Sequence, residues 1–263
     1  MRVCVLGSGS SGNCTYIETS RTRLLVDAGF GPRSLARRLN QAGLPTDRFD
    51  ALLITHGHID HYGGAASFVK RFRAPVFSNS GTRHEVAALE ELDRWEAFQN
   101  GVPFTIGDLT VEAFSVSHDC ADPVGFRIAQ NGYCGAVVTD LGEMTPSVEQ
   151  KLRGCDWMVV ESNHDEEMLR LGAYPFRLKQ RLTSRLGHLS NRAFARFLRD
   201  GFDGRARHIF LAHLSRNNNH PDIALETARQ GLVSRSRQSF HDLWDPVRLH
   251  LTDQVKPSIV VSL

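Results

Sequence analysis

Long apolar runs are missing from this sequence of 263 residues: no stretch approaches the ~20 residues that a membrane-spanning helix needs. Cysteine is scarce as well. The 5 cysteines (Cys4, Cys14, Cys120, Cys134 and Cys155) are odd in number, and no two share Cys-x-x-Cys spacing. That excludes a zinc knuckle, a thioredoxin-type redox motif and a fully paired disulfide framework. Thiols used this way suit small core positions in a reducing compartment, and the apolar opening from Val3 to Leu6 is too short for a secretory leader. The expected location is the cytoplasm, with no membrane partner. An excess of either charge is absent too: 31 Lys and Arg against 29 Asp and Glu leave a formal net charge of +2, so no overall field marks a polyanionic partner. Repeats, low-complexity tracts and linker-like stretches are not found, and nothing specifies an oligomeric state. With 41% apolar and 23% charged residues, the chain can bury one sizeable core, and residues 1–263 are expected to form one domain.

Charge is nevertheless uneven along the chain. Between Arg177 and Arg216 stand ten Lys or Arg and only two acids, Asp200 and Asp203, whereas Glu85, Glu90, Glu91, Asp93 and Glu96 crowd the front half. Such a segment gives either one basic face or a set of solvated helix faces. Short β-rich runs at Arg2–Leu6, Cys14–Glu18 and Arg23–Val26 open the chain, the first running into Gly7-Ser8-Gly9-Ser10-Ser11-Gly12-Asn13. Pro32 opens a helix that Gly43 closes. Ala51–Thr55 reads as a strand buried on both faces, Ala65–Phe72 as a helix, Val76–Ser78 as a strand, and the stretch from His84 to Ala97 as a helix. Hairpins are expected with turns at Gly107-Asp108 and at Asn131-Gly132, because Asn-Gly supplies the positive φ angles of a tight turn. Trp157–Val160 and Ile209–Ala212 are further buried strands, Ser190–Leu198 and Ile223–Leu232 helices, and Val247–Leu251 and Ile259–Val261 closing strands. The class is α/β with mixed sheets.

The chemistry concentrates in Thr55-His56-Gly57-His58-Ile59-Asp60-His61, just after a buried strand. On a loop at a strand end, His56 and His58 can turn toward one metal while Asp60 and His61 turn toward another. Imidazole and carboxylate donors suit Zn, Mn or Fe. Three His and one Asp within six residues have little use in packing. Two ions need more ligands, and His118, Asp140 and His213 each stand where an apolar or alternating run stops, so side chains from separate strands can converge there.

In order and spacing, the His-x-His-x-Asp-His run, a later lone His, an Asp and a late His resemble the metallo-β-lactamase superfamily along nearly the whole chain. The resemblance implies an αββα sandwich, two mixed β-sheets flanked by helices, with two divalent metal ions. It implies that His56, His58 and His118 hold the first ion and Asp60, His61 and His213 the second, with Asp140 bridging both. The two ions would share a hydroxide, formed because a metal lowers the pKa of water from 15.7 toward ~7, and Asp60 would help orient it.

Fold alone does not give substrate. Four segments narrow it: Gly7 to Asn13, Glu161-Ser162-Asn163-His164-Asp165, Gly187-His188-Leu189-Ser190-Asn191, and Ala212-His213-Leu214-Ser215-Arg216-Asn217-Asn218-Asn219. Together they resemble the YycJ/WalJ-like branch, bacterial proteins associated with 5′-to-3′ DNA exonuclease activity. The layout is also similar to the tRNA 3′-processing endonucleases, in which a Glu after a strand and a His opening a helix work as a pair; Glu161 and His188 match those positions. His188 would protonate the leaving alkoxide and Glu161 would orient it. Ser8, Ser10, Ser11 and Asn13 are candidates to hold a phosphate through hydroxyls and backbone amides, with a plain turn as the alternative. Arg216 and Asn218 are candidates to meet a nucleic-acid backbone, DNA above all, and His164 is either a substrate contact, a support for a ligand or a helix cap. A glyoxalase II-like thioester or lactone hydrolase, an RNA-processing nuclease, a small-molecule phosphodiesterase and a metal-containing DNA-end-binding module are the competing readings. The basic segment speaks against small neutral substrates, which need no such field.

Overall fold

A computed structural model describes residues 1–238 and 247–263. Its strands lie in two seven-stranded sheets. The chain packs as two compact units, each assembled from separated stretches: unit 1 is Met1–Ser115, Cys120–Tyr133 and Thr252–Leu263, and unit 2 is Val116–Asp119 and Cys134–Leu251.

In unit 1, β1 (Arg2–Gly7), β2 (Cys14–Glu18), β3 (Arg23–Val26), β4 (Ala51–Leu53), β5 (Val76–Ser78) and β6 (Trp95–Ala97) lie side by side in that order. The first three are antiparallel, and from β3 onward the pairs are parallel. The change of direction matters for the site. Val26 stands opposite Leu53, so β3 and β4 end together and deliver Asp27 and Thr55 to one sheet edge. Leu52, Leu53 and Ile54 are fully buried, the burial on both faces expected of their unbroken apolar run. Below them Tyr16, Phe49 and Phe68 share the core, with Phe49 edge-on to Tyr16 at 6.0 Å between ring centroids. Three antiparallel strands, β7 (Phe104–Ile106), β8 (Leu109–Ser115) and β9 (Val124–Gln130), also belong to this unit.

Unit 2 is built on parallel strands β10 (Tyr133–Val138), β11 (Trp157–Glu161), β12 (His208–Ala212) and β13 (Arg248–Leu251). Parallel strands all end on the same side, which brings Asp140, Glu161 and His213 to one edge. Finally β14 (Val261–Ser262) returns to pair with β1 in unit 1. No helix among the described residues is long and apolar enough to cross a membrane.

The turn expected at Asn131-Gly132 has φ of 49° and 85° there, and Gly107 has φ of 58°. The helix expected from His84 to Ala97 is not formed. Two short helices, Ser80–Glu85 and Ala87–Glu90, are separated by Val86 in an extended conformation, and Trp95–Ala97 is strand β6. Pairing with β5, reinforced by the Trp95 indole N–H donating to Ser78 Oγ at 2.8 Å, outweighs the helical periodicity. Helices Pro146–Leu152, Glu166–Leu171 and Phe176–Leu182 were not anticipated. The first two begin at side-chain caps, Thr145 accepting from Val148 N and Asp165 accepting from Glu167 N and Met168 N, starts that the sequence displays.

Candidate metal centre

Unit 1 carries the histidine loop. Asp27 follows β3 with a positive φ of 61°, an uncommon conformation that costs about 1–3 kcal/mol and persists where the surroundings fix it. Its carboxylate does that. Oδ1 accepts from Thr55 N at 2.9 Å, and Oδ2 accepts from Thr55 Oγ at 2.9 Å and from His61 Nδ1 at 2.7 Å. His61, fully buried, thus presents Nε2, which the Asn13 side-chain amide approaches at 2.9 Å. The same amide lies 3.3 Å from Asp60 Oδ2, so Asp60 and His61 face one spot. His56 has its Nδ1 2.9 Å from Thr55 Oγ and its Nε2 3.1 Å from His58 Nδ1, so His56 and His58 face another. Gly29 admits this arrangement: a Cβ there would overlap the Asp60 carbonyl, while Asn13 N donates to that carbonyl at 2.8 Å and Gly29 N to Asn13 O at 3.0 Å.

Unit 2 gathers its residues around Glu161. The carboxylate ends a fully buried strand, and a buried charge needs several partners. Oε1 accepts from His188 Nδ1 at 2.7 Å and from His213 Nδ1 at 2.9 Å; Oε2 accepts from Leu141 N at 2.6 Å and Leu189 N at 3.2 Å. Burial alone would raise the Glu161 pKa, but the charge of His188 and the hydrogen bonds from His188 and His213 outweigh it and bring it down to about 2. For His188 burial pulls downward, and attraction to Glu161, the hydrogen bond to it and the Asp140 charge win, raising its pKa. Asp140, Glu161, His188 and His213 each offer a donor atom within 4.8 Å of the others. His118 donates from Nδ1 to Gly187 O at 3.0 Å and has Nε2 3.6 Å from Asp140 Oδ1. Asp140 and His213 both have φ of 56°, so these strand ends share the conformation of Asp27.

The donor chemistry of both units suits a metal. His61, His118 and His213 each engage Nδ1 with a carboxylate or a carbonyl and His56 with a hydroxyl, the outer partners that fix tautomer and ring orientation for ligation through Nε2. Clusters of His and Asp able to bind a metal are therefore present in the fold.

The substrate candidates are placed as follows. Ser8 is buried and its hydroxyl meets Asn13 Oδ1 at 3.3 Å; Ser11 donates to Gln254 Oε1 at 2.9 Å; Ser10 is exposed. The loop amides of Ser8, Gly9 and Gly12 donate to Asp253 O, Asn13 Oδ1 and Gly9 O, so much of this turn is spent on shaping itself around Asn13. Arg216 is exposed, whereas Asn218 is 1% exposed with its carbonyl accepting from Asp165 N. His164 is 2% exposed, its pKa lowered by burial against a partial offset from Glu161. The cap of the helix that follows it is Asp165. His188 does not open a helix: Ser190 caps Asn191–Asp200, and His188 stands in the loop before it.

Sequence reasoning missed the part played by four residues, one of which, Asn219, lies in the Asn217–Asn219 run that reads as either a sugar or phosphate contact or ordinary loop chemistry. Asp27 stands just past the β-rich run Arg23–Val26, and nothing in the sequence around it marks it as a partner of His61. Asn163, Asn191 and Asn219 form a buried amide lattice: Asn163 Nδ2 donates to His213 O at 2.7 Å, Asn219 Nδ2 to Ser162 O at 2.9 Å and Asn163 O at 2.8 Å, and Asn191 Nδ2 to Asn219 Oδ1 at 2.8 Å. Their signal was position inside three of the four distinctive segments.

Known proteins resemble the chain in the same terms. Residues 22–213 match the beta-lactamase superfamily domain. Over 260 residues the sequence is 35% identical to the exodeoxyribonuclease YycJ of Bacillus anthracis, covering 97% of this chain and 96% of that one. It is 35% identical over 225 residues to the exodeoxyribonuclease WalJ of Streptococcus pneumoniae, covering 84% of each. In fold it is similar to the metallo-β-lactamase fold protein YhfI of Bacillus subtilis, with a TM-score of 0.69 and 18% identity over 99% of both chains. The architecture of two mixed sheets flanked by helices is that of this fold.

Proposed function

Because the chain belongs to the metallo-β-lactamase superfamily, we propose that it is a metal-dependent phosphodiesterase acting on nucleic acid, a 5′-to-3′ DNA exonuclease. The observation that carries the reading is Glu161 accepting from His188 and His213 through one oxygen, at 2.7 and 2.9 Å. One carboxylate thereby steadies a ligand-type imidazole and a second imidazole able to carry a proton. The names of the relatives at 35% identity point the same way.

Two divalent ions, Zn, Mn or Fe, complete the site in this reading. His56, His58 and His118 would hold one, Asp60, His61 and His213 the other, and Asp140 would serve both. When bound, such ions acidify water and neutralise charge on a phosphate. The protein's own groups do the rest. His188, held charged by Glu161, presents its Nε2 proton to the departing alkoxide. Asp60, held by the Asn13 amide, accepts a hydrogen bond from the attacking water and aims it. Arg216 and Ser10, both exposed, meet the phosphate backbone, while Ser8, Ser11, Asn13, His164 and Asn218 hold the loops from which those contacts are made. The working compartment is the cytoplasm, and residues 1–263 act as one functional domain. A proton donor such as the Glu161–His188 pair does not by itself distinguish the sugar of the leaving strand, which makes RNA the comparison substrate for DNA.

The experiment is digestion of 5′- and 3′-end-labelled DNA and RNA, single-stranded and duplex, with Mn²⁺ or Zn²⁺, beside Asp60→Ala and His188→Ala. Stepwise release from the 5′ end of DNA, lost in both variants, is the expected result. Hydrolysis of a thioester with no cleavage of any polynucleotide overturns the reading, and metal analysis showing one tightly held ion and no turnover favours a binding module.

A further inference from the structure

The helix Phe176–Leu182 buries none of its residues. Phe176 is 73% exposed, and the apolar residues beside the helix in sequence, Leu171 and Leu186, are 68% and 51% exposed. Its inner side is only half-buried, through Leu178 and Leu182, and large apolar side chains left in water beside it mark a surface that meets something else. What it meets has a charge requirement. From Phe176 to Leu186 the sequence has Arg177, Lys179, Arg181 and Arg185 and no acidic residue.

The surface is tied directly to the chemistry of unit 2. His188 N donates to Leu182 O at 2.9 Å and Gly187 N to Ser184 O at 3.0 Å. The Gly187 carbonyl in turn accepts from His118, and Arg181 pairs with Asp119, the neighbour of His118, at 2.5 Å. A strand lying on this helix therefore has a short path to His188.

We infer that Phe176–Leu186 is a platform for single-stranded nucleic acid, with an unpaired base stacked on the Phe176 ring and phosphates met by the exposed Arg177 and by Lys179, whose ammonium also donates to the Arg170 carbonyl at 2.8 Å. The inference rests on the phosphodiesterase reading and deepens it by naming the form of the substrate. An exposed aromatic beside cations is the chemistry that grips a single strand, because every splayed base offers a π-face while its backbone supplies regular negative charge. A duplex, whose bases are already stacked on one another, gains nothing from the ring.

The test compares steady-state digestion of end-labelled single-stranded and duplex DNA by the native chain and by Phe176→Ala, Phe176→Trp, and Arg177→Ala/Lys179→Ala. Phe176→Ala is expected to raise KM for the single strand roughly tenfold, the value of one stacked base, with kcat kept and the duplex unaffected. Phe176→Trp restores the native KM. The double variant lowers the salt dependence of log(kcat/KM) for the single strand by about 0.7 per cation removed. A native KM in Phe176→Ala overturns the platform and leaves the phosphodiesterase reading standing. So does an equal loss on duplex, or sedimentation showing that Phe176→Ala splits a pair of chains, which assigns the face to a second copy. Hydrolysis of bis(p-nitrophenyl) phosphate by the native chain checks the underlying reading separately: its absence, together with no polynucleotide cleavage, removes that reading and the platform with it.

Discussion

Unit 1 concentrates His56, His58, Asp60 and His61 within one loop, whereas unit 2 draws His118, Asp140, Glu161, His188 and His213 from separate stretches. The two regions solve the same problem, holding polar rings in fixed orientations at a strand edge, by different means. In unit 1 the geometry is mostly local: a short loop, one carboxylate at Asp27 and one hydroxyl at Thr55. In unit 2 it depends on a hub, Glu161, and on amides that tie loops distant in sequence to one another. A local device fails gently when one part is removed. A hub takes several neighbours with it.

That contrast can be broken by experiment. The largest effect is expected from Glu161→Ala, which strips His188 and His213 of their shared acceptor and leaves the Leu141 and Leu189 amides without theirs. Breaking such a buried ionic network costs about 3–5 kcal/mol, read as a lower denaturation midpoint, with hydrogen-exchange protection lost at β11 and β12 but kept at β3 and β4. Next comes Asp27→Asn, which retains shape but weakens the grip on His61. Zn²⁺ affinity measured by competition with a chelator should fall about 10–100-fold, with little change in the melting of unit 2; an unchanged affinity would show that the loop holds His61 unaided.

Asn219→Ala removes the side-chain donor to the Ser162 carbonyl and the acceptor of the Asn191 amide, while the Asn163 carbonyl keeps the Ser215 amide, for about 1–3 kcal/mol in urea melts. If Asn219→Ala proves neutral, the amide lattice is not what binds the loops of unit 2 together. The smallest effect is a pH dependence. Burial, then the charges of His208 and Arg248, lower the His250 pKa from 6.5 to about 4, so the folded state favours its neutral form. Its contribution is complete above about pH 6.5 and fades as pH falls through about 4. In unit 1 the Glu18 pKa, which burial alone would raise, is lowered by hydrogen bonds from Arg23, Tyr16 and Arg2, so its contribution is complete above 4.5 and is lost only further into acid. Hydrogen exchange across an acid series should therefore show β13 loosening before β2, and His250→Gln should remove the early step.

The same contrast explains what could be read in advance. The histidine loop was legible because its ligands are spaced by chain geometry alone, and β4 because its run is apolar throughout. Asp140 and His213 were legible as strand ends. The role of Asp27 was not, because nothing in Val26-Asp27-Ala28 reveals that β3 and β4 end side by side until their parallel register is known. Glu161 was paired with His188 from resemblance, but its hold on His213 follows only from the parallel order of β10, β11 and β12. The stretch His84–Ala97 misled because its periodicity is helical while Trp95 has a better partner in Ser78.

Residues 252–263 belong to unit 1 and not to the unit that precedes them in the chain. Arg38, 3% exposed, donates to Leu6 O and Gln254 O at 2.8 Å each, and Ser8 N donates to Asp253 O. The Ser8–Asn13 turn that steadies Asp60 and His61 thus leans on residues made long after it. At translation rates, on the order of ten seconds separate the emergence of residue 115 from that of residue 252. The histidine loop is therefore made well before the segment that supports the turn beside it, and the folding of unit 1 has to wait for a stretch that lies beyond the whole of unit 2 in the chain.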